Sequence, residues 1–92
     1  MPTYLVERYL PGRDRAWLEA ALARLGSQRS KAAYLGSTYV PEDDSCFCRF
    51  EAETADDVRE VNEMARVPFA RIVAAQEIGI RQPESTEKGD RS

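Results

Sequence analysis

Two cysteines and two charged residues alternate along the segment 46–52, and they are the side chains of this chain best suited to chemistry. Read as a β-strand, the segment places Cys46 and Cys48 on one face and Arg49 and Glu51 on the other, because successive side chains point to opposite faces. Thiols at this spacing can bind a soft metal ion or act as a redox pair. The opposite face can bind a charged ligand through its arginine or its glutamate.

The two thiols are predicted to lie in the protein core rather than in a metal or redox site. A Cys-x-Cys pair without further Cys or His supplies at most two ligands, which is fewer than a closed metal site needs. Cysteine is also among the residues most often buried. A disulfide between them is not expected, since same-face neighbours lie about 6–7 Å apart along a strand. We therefore expect Cys46 and Cys48 to face the helices beside Phe50.

The charged face has two interpretations, and both involve Glu7 on a neighbouring strand. In the first, Glu7 lies across from Arg49 or Glu51 in a polar pocket, where Arg49 binds an anion and Glu7 acts as a base. Partial burial would have to raise the pKa of that base. In the second, these residues form a cross-strand ion pair that orders the sheet or a dimer interface. The second is favoured, because structural ion pairs also perturb pKa values.

The elements that position these residues follow from hydrophobic periodicity and from turn and capping residues. Alternation predicts strands at 4–9, 32–40, 46–52 and 71–78, with a hairpin turn at 41–44. Asp14 and Thr54 are predicted to cap two helices. The first helix ends near Gly26, and Pro68 stops the second. Gly36 indicates a bulge or a close backbone approach in the second strand.

The order β-α-β-β-α-β predicts an α+β, ferredoxin-like domain, which is a four-stranded antiparallel sheet with both helices on one face. The first and third strands are then central neighbours. We expect residues 1–80 to form a single domain and residues 81–92, which are mostly charged and polar, to form a disordered C-terminal tail. The sheet face opposite the helices must contact water, a ligand or a second subunit.

Size and charge narrow the functional class. A chain of 92 residues fits one small domain with a narrow stability margin, so burial of the open sheet face in a homodimer is expected. The net charge of −3, without a basic stripe, argues against nucleic-acid binding. No apolar run approaches the roughly 20 residues of a membrane span. The N-terminus enters a strand pattern directly, so we expect no signal peptide and a cytoplasmic location.

Several segments in combination resemble a known family of small bacterial domains of unknown function. The segments are 4–12, 39–44, 47–52 and 58–68. The family includes a small nickel-binding protein with a ferredoxin-like fold, which assembles as a dimer. The resemblance covers roughly Thr3 to Ile78, and it implies a ferredoxin-like dimer with a transition-metal site, nickel being the implied cofactor.

This chain departs from the family pattern at the positions of metal ligands. Relatives often carry histidine at the end of the first strand, where this chain has Tyr9, and some carry one in the second helix, near Asn62. The chain has no histidine, although nickel favours nitrogen donors. A nickel site would therefore need Glu, Asp, Cys and backbone groups. Asn62 is either a pocket residue or, as is favoured, part of a solvated helix flank.

The leading functional prediction is a small dimeric protein that binds a ligand or a metal ion on the sheet face or at the subunit boundary. The candidate ligand-binding residues are Glu7, Tyr9, Arg49, Glu51 and Asn62. One alternative is a cofactor-independent oxygenase or isomerase, with Glu7 as base and Arg49 as anion holder. The other is a structural or interaction module.

Overall fold

The computed structural model describes residues 1–79, which form four strands, two α-helices and a short 3₁₀ helix. In chain order these are β1 (Thr3–Tyr9), α1 (Arg15–Ser27), β2 (Ala33–Val40), the 3₁₀ helix (Pro41–Asp43), β3 (Ser45–Glu51), α2 (Ala55–Met64) and β4 (Arg71–Ala75). The predicted tail, 81–92, lies outside the described residues. No helix within 1–79 is long and apolar enough to cross a membrane.

The strands form one antiparallel sheet in the order β2-β3-β1-β4. The predicted ferredoxin-like α+β fold, with the first and third strands as central neighbours, is therefore confirmed. The register sets Val6 opposite Cys48 and Arg8 opposite Cys46. These four side chains share the sheet face that the helices cover, because residues directly opposite each other in a pair point to the same side.

Both helices begin at the predicted capping residues. The Asp14 side chain accepts a hydrogen bond of 2.8 Å from the Trp17 backbone N–H, and Thr54 Oγ1 accepts one of 3.2 Å from the Asp57 backbone N–H. These bonds satisfy backbone donors that have no partner within the helix. The end of α1 differs slightly from the prediction, since the helix continues through Gly26 to Ser27.

Helix α2 ends before Pro68 is reached, and its end has a different cause from the one predicted. Arg66 adopts a left-handed conformation with φ of 58°. The Arg66 N–H then donates to Glu63 O, and the Val67 N–H donates to Asn62 O. This pair of bonds is a Schellman motif, which terminates a helix by reversing the chain. Pro68 follows two residues later and cannot restart the helix.

A bulge in β2 lies where Gly36 predicted one. The pairing of β2 with β3 shifts register between Tyr34 and Gly36. Gly36 has φ of +142°, and a Cβ added to it would lie 2.9 Å from Arg49 Nη2. Glycine is therefore required here by its backbone conformation, whereas the flexible end of the Arg49 side chain that crosses over it can shift.

The core lies between the sheet and the helices. Cys46, Cys48 and Phe50 of β3 have no exposed surface, which confirms that the thiols face the helices. Trp17 is only half-buried and packs at the edge of this core, where the Arg13 guanidinium lies 4.4 Å from its ring centroid. Strand β4 ends at Ala75, three residues earlier than predicted.

Candidate functional site

A buried arginine lies between the sheet and α2. Arg8 is only 2% exposed. Its Nη2 donates a hydrogen bond of 2.5 Å to Asn62 Oδ1, and its Nη1 donates to the carbonyls of Val67 (3.4 Å) and Pro68 (3.2 Å). None of the ion pairs within residues 1–79 includes this guanidinium. A buried charge without a carboxylate partner is costly, so the surrounding groups must compensate for it.

Asn62 is part of this cluster, and the favoured interpretation of it as a solvated helix flank is wrong. The side chain has no exposed surface. Its Oδ1 accepts from Arg8, and its Nδ2 donates a hydrogen bond of 2.8 Å to Val58 O in the preceding turn of α2. The amide is thereby held with its oxygen directed at the guanidinium, which is how a buried polar group is normally satisfied.

Cys48 supplies the group that can carry a negative charge beside Arg8. Arg8 Nε donates to Cys48 Sγ at 3.4 Å, Ser37 Oγ lies 2.9 Å from the same sulfur, and Cys46 Sγ lies 3.9 Å away. The hydrogen bond from Cys46 and the positive charge of Arg8 lower the pKa of Cys48 to about 6, and the hydrogen bond has the larger effect. Burial acts in the opposite direction and raises this pKa. The same sulfur–sulfur hydrogen bond, together with burial, raises the pKa of Cys46. These opposite shifts favour the proton on Cys46 and the negative charge on Cys48.

Two hydroxyl groups extend this cluster towards the edge of the sheet. Ser37 Oγ is hydrogen-bonded to the Tyr34 hydroxyl as well as to Cys48. When Cys48 carries the negative charge its sulfur can only accept, so Ser37 then donates to Cys48 and accepts from Tyr34. Burial raises the pKa of Tyr34, so its hydroxyl keeps the proton that this arrangement requires. The polar cluster, defined as Arg8, Tyr34, Ser37, Cys46, Cys48 and Asn62, therefore forms one hydrogen-bonded chain from α2 to β2.

A cleft between α1 and β2 adjoins the polar cluster. Its volume is about 400 Å³, within the range of small-molecule sites. It is lined by Arg15, Leu18, Glu19, Leu22, Ser37, Tyr39 and Pro41. Leucine and tyrosine side chains give it apolar walls, and an exposed ion pair between Arg15 and Glu19, 2.8 Å apart, lies on its helical side. Ser37 belongs to both the cleft and the polar cluster, so a ligand in the cleft lies one hydrogen bond from the thiolate.

Four of the five predicted ligand-binding residues lie instead on the open sheet face, which is the face turned away from the helices. The predicted partner of Glu7 is wrong, because Glu7 lies opposite Phe47 in β3. Its carboxylate binds Arg71 on β4, with Nε–Oε1 and Nη2–Oε2 distances of 2.9 and 3.0 Å. Both oxygens of Glu7 are thus held by one guanidinium, so neither is free to act as a general base.

The other predicted residues of the open sheet face are not gathered into a pocket with Glu7. Arg49 lies opposite Leu5 and crosses over Gly36, and its guanidinium forms no hydrogen bond within residues 1–79. Glu51 lies at the far end of β3, and Tyr9, which is 64% exposed, lies at the end of β1. The cleft is on the opposite side of the sheet, since Ser37 faces Cys48 across the β2–β3 pair.

Sequence reasoning missed Arg8, although a signal for it exists. Arg8 falls on the same strand face as Val6, and β3 presents Cys48 and Phe50 to that side. A charged residue on the core-facing side of a central strand predicts a buried ion pair or a functional site, because such a group is almost never buried alone.

The fold and this cluster define a small ferredoxin-like domain with a polar cluster inside its core. The chain belongs to the family of nickel responsive proteins described as SCO4226-like, whose model matches residues 4–74. Among solved structures, the crystal structure of SCO4226 from Streptomyces coelicolor A3(2) is similar, with a TM-score of 0.66 and 17% sequence identity over 84% of this chain and 99% of that one. At that identity the likeness shows the shared fold. A comparison with curated proteins found no match.

The residues present in one subunit do not fit a nickel centre. Within residues 1–79, no three His, Cys, Asp or Glu side chains form a group that could hold a metal ion. The chain offers no imidazole at all. Cys46 and Cys48 supply two sulfur atoms, but nickel prefers nitrogen donors and square-planar or higher coordination. The Arg8 guanidinium, bonded to one of these sulfurs at 3.4 Å, adds a positive charge that disfavours a divalent ion there.

Proposed function

We propose that this protein is a small homodimeric binding protein that takes an organic ligand in the cleft between α1 and β2. The observation that carries the proposal is the position of Ser37, which lines the cleft and also contacts Cys48. The cleft therefore combines apolar walls with one oriented polar group, which is the usual composition of a small-molecule site. The family's nickel response supports a metal-related role for its members. In this chain, however, residues 1–79 of a single copy do not form a nickel centre.

The cleft selects the chemistry of its ligand. With the negative charge on Cys48, Ser37 donates to Cys48 and accepts from Tyr34, and this arrangement leaves one lone pair of its oxygen free. A ligand that reaches the inner wall must therefore donate a hydrogen bond to Ser37. Leu18 and Leu22 would cover an apolar ligand body. The charged pair of Arg15 and Glu19 would meet a polar end at the rim.

A homodimer through the open sheet face accompanies this proposal. Leu5 and Val73 lie opposite each other on β1 and β4, Phe47 lies two positions along β3 from the residue opposite Leu5, and all three are only half-buried in the single chain. Tyr9, which is 64% exposed, adds to this surface. A second copy would cover these apolar side chains, and a chain of this size gains stability by such burial. The two cysteines are free thiols, in keeping with the reducing cytoplasm that we propose as its location.

The test is to fill the cleft and map ligand binding by amide-resolved NMR. A library of small organic fragments is screened against the wild type, a Leu22→Trp variant and an Ala23→Trp control. Leu22 lines the cleft, whereas Ala23 is exposed on the same helix. Fragments should shift the amide signals of Leu22 and Ser37 in the wild type and the control, and the Leu22→Trp variant should lose this response. Shifts confined to the open sheet face, or equal responses in both tryptophan variants, would contradict the proposal.

The enzyme alternative with Glu7 as base receives no support from the site. Its carboxylate is bound by Arg71 at both oxygens, and Arg49 lies diagonal to Glu7 rather than directly opposite it. The same experiment tests the alternative of an interaction module. If the protein is such a module, the fragments should leave the amide signals of the cleft unchanged.

A further inference from the structure

We propose that Cys46 and Cys48 form a two-coordinate site for a soft monovalent cation such as Cu(I) or Ag(I), separate from the organic ligand of the cleft. The two sulfur atoms face the same side of β3, lie 3.9 Å apart, and are both fully buried. Thiolate ligands select soft ions of this kind. Metal–sulfur bonds of about 2.3 Å can bridge this gap with a bent arrangement or, after a small outward rotation, a nearly linear one.

The charge of the surroundings distinguishes a monovalent ion from a divalent one. Arg8 contributes one positive charge within hydrogen-bond distance of Cys48, and it has no carboxylate partner in the ion pairs of residues 1–79. Two thiolates, one monovalent cation and this guanidinium sum to zero. A divalent cation would leave a net positive charge in a fully buried site, where uncompensated charge is strongly unfavourable. The same two ligands are also too few for the tetrahedral site that zinc requires.

The exchange of a proton for the cation balances. Before binding, the sulfur–sulfur hydrogen bond requires at least one of the two cysteines to carry a proton. On binding, each S–H bond that is present breaks, its proton leaves to water, and two sulfur–metal bonds form. No electrons are transferred, because the cation enters and stays monovalent.

Neighbouring groups hold both ligands in place. The Arg8 Nε–H donates to Cys48 Sγ at 3.4 Å, and the Ser37 hydroxyl approaches the same sulfur to 2.9 Å. Hydrogen bonds to a metal ligand fix its orientation and tune its affinity for the metal. Ser37 also lines the cleft, so this side chain lies between the cleft and the Cys48 sulfur.

The experiment titrates the full chain with Cu(I) under anaerobic conditions against a colorimetric Cu(I) chelator, with Ag(I) as a redox-inert second probe. Native mass spectrometry counts the bound ions, and circular dichroism with thermal melting reports on the fold. The wild type is compared with Cys46→Ser and Cys48→Ser. A Glu42→Ala, Asp43→Ala double variant removes exposed carboxylates that could bind cations adventitiously. Ni(II) is tested in parallel on every variant.

The proposal expects one Cu(I) per chain, a raised melting temperature and an unchanged fold. Loss of a group that is hydrogen-bonded to a metal ligand typically lowers metal affinity by about 10- to 100-fold. Each serine variant removes a ligand itself, so its loss of Cu(I) affinity should be larger than that. The double acidic variant should bind as the wild type does, and Ni(II) should raise no melting temperature. Affinity that survives in either serine variant, binding that lowers the melting temperature, or the absence of bound Cu(I) would overturn it. Fragment binding is measured by the Leu22→Trp variant and metal binding by the cysteine variants. The two proposals can therefore fail independently.

Discussion

Arg8 and Asn62, which are 54 positions apart in the sequence, are joined by a hydrogen bond of 2.5 Å inside the core. The bond ties the central strand β1 to α2, and it directs the charge of the guanidinium towards the thiol pair on β3. Both side chains are almost fully buried. The polar cluster therefore contributes to stability as well as to the candidate site, and the two contributions can be separated by substitution.

The hydrogen bond between Arg8 and Asn62 can be tested by removing the amide. An Asn62→Leu variant leaves a buried guanidinium donor unsatisfied, which should lower the free energy of unfolding by roughly 1–3 kcal/mol. Urea denaturation followed by circular dichroism measures this change. Glu60→Leu on the exposed side of α2 is the matched control and should change stability far less.

A double-mutant cycle shows whether the cost arises from the pair itself. Arg8→Met alone removes the positive charge and leaves the Asn62 oxygen without its donor, which should cost roughly 1–3 kcal/mol. If the two residues interact as observed, the double variant should be more stable than the sum of the single losses predicts. Strict additivity would contradict the coupling.

The thiol pair predicts a stability that rises and then falls with pH. The pKa of Cys48 is lowered from 9.0 to about 6 in the folded protein, so the unfolded chain binds more protons between these values. The free energy of unfolding should therefore increase from about pH 6 to pH 9. The pKa of Cys46 is raised above 9.0, so above that pH the unfolded chain is the more readily deprotonated and stability should decrease.

Melting temperatures between pH 5.5 and 10 measure this curve, with the range chosen to bracket both thiols. Cys48→Ser removes the lowered pKa and should flatten the rise between about pH 6 and 9. The exposed carboxylates and lysines are the same in this variant and the wild type, so their contribution to the pH dependence of the melting temperature should be the same in both. A rise of equal size in Cys48→Ser would show that other groups cause the pH dependence.

Gly36 is predicted to be intolerant of a methyl group. Gly36→Ala places a Cβ 2.9 Å from Arg49 Nη2 and forces a side chain onto a backbone with φ of +142°. We expect a loss of at least about 1 kcal/mol in the free energy of unfolding, measured by urea denaturation. Thr38→Ala, on the same face of β2, is the control and should have a small effect.

Combining Gly36→Ala with Arg49→Ala separates the two causes. The second change removes the steric contact but leaves the backbone strain, so partial recovery is expected. Full recovery would assign the whole effect to the contact with Arg49. No recovery would assign it to the backbone conformation.

The proposed dimer depends on the half-buried apolar side chains of the open sheet face, Leu5, Phe47 and Val73. Phe47→Asp replaces one of them with a charge and should shift the protein from dimer to monomer in sedimentation velocity experiments. Ala23→Asp on the exposed side of α1 carries the same charge change and should remain dimeric. A wild type that sediments as a monomer at all concentrations would exclude the dimer.

The sequence alone determined the order of elements, the ferredoxin-like class, both helix caps, the bulge at Gly36 and the burial of Cys46 and Cys48. These features depend on local patterns, namely the period of two in strands, capping side chains and the conformational freedom of glycine. It also separated the two faces of β3 correctly, because alternation needs no knowledge of the partner strands.

Only the tertiary structure decided which polar residues meet. Arg8, Cys48 and Asn62 come from three different elements, and the contacts of Arg8 with the other two span 40 and 54 positions. Their meeting depends on the register of β1 against β3 and on the rotation of α2 above the sheet, which periodicity does not specify to within one residue. The same limit explains why Glu7 was assigned to Arg49 or Glu51 and was found with Arg71 on the other neighbouring strand. Side-chain pairs set by register and helix rotation are long-range properties, and they place the polar cluster in the core rather than on the open sheet face.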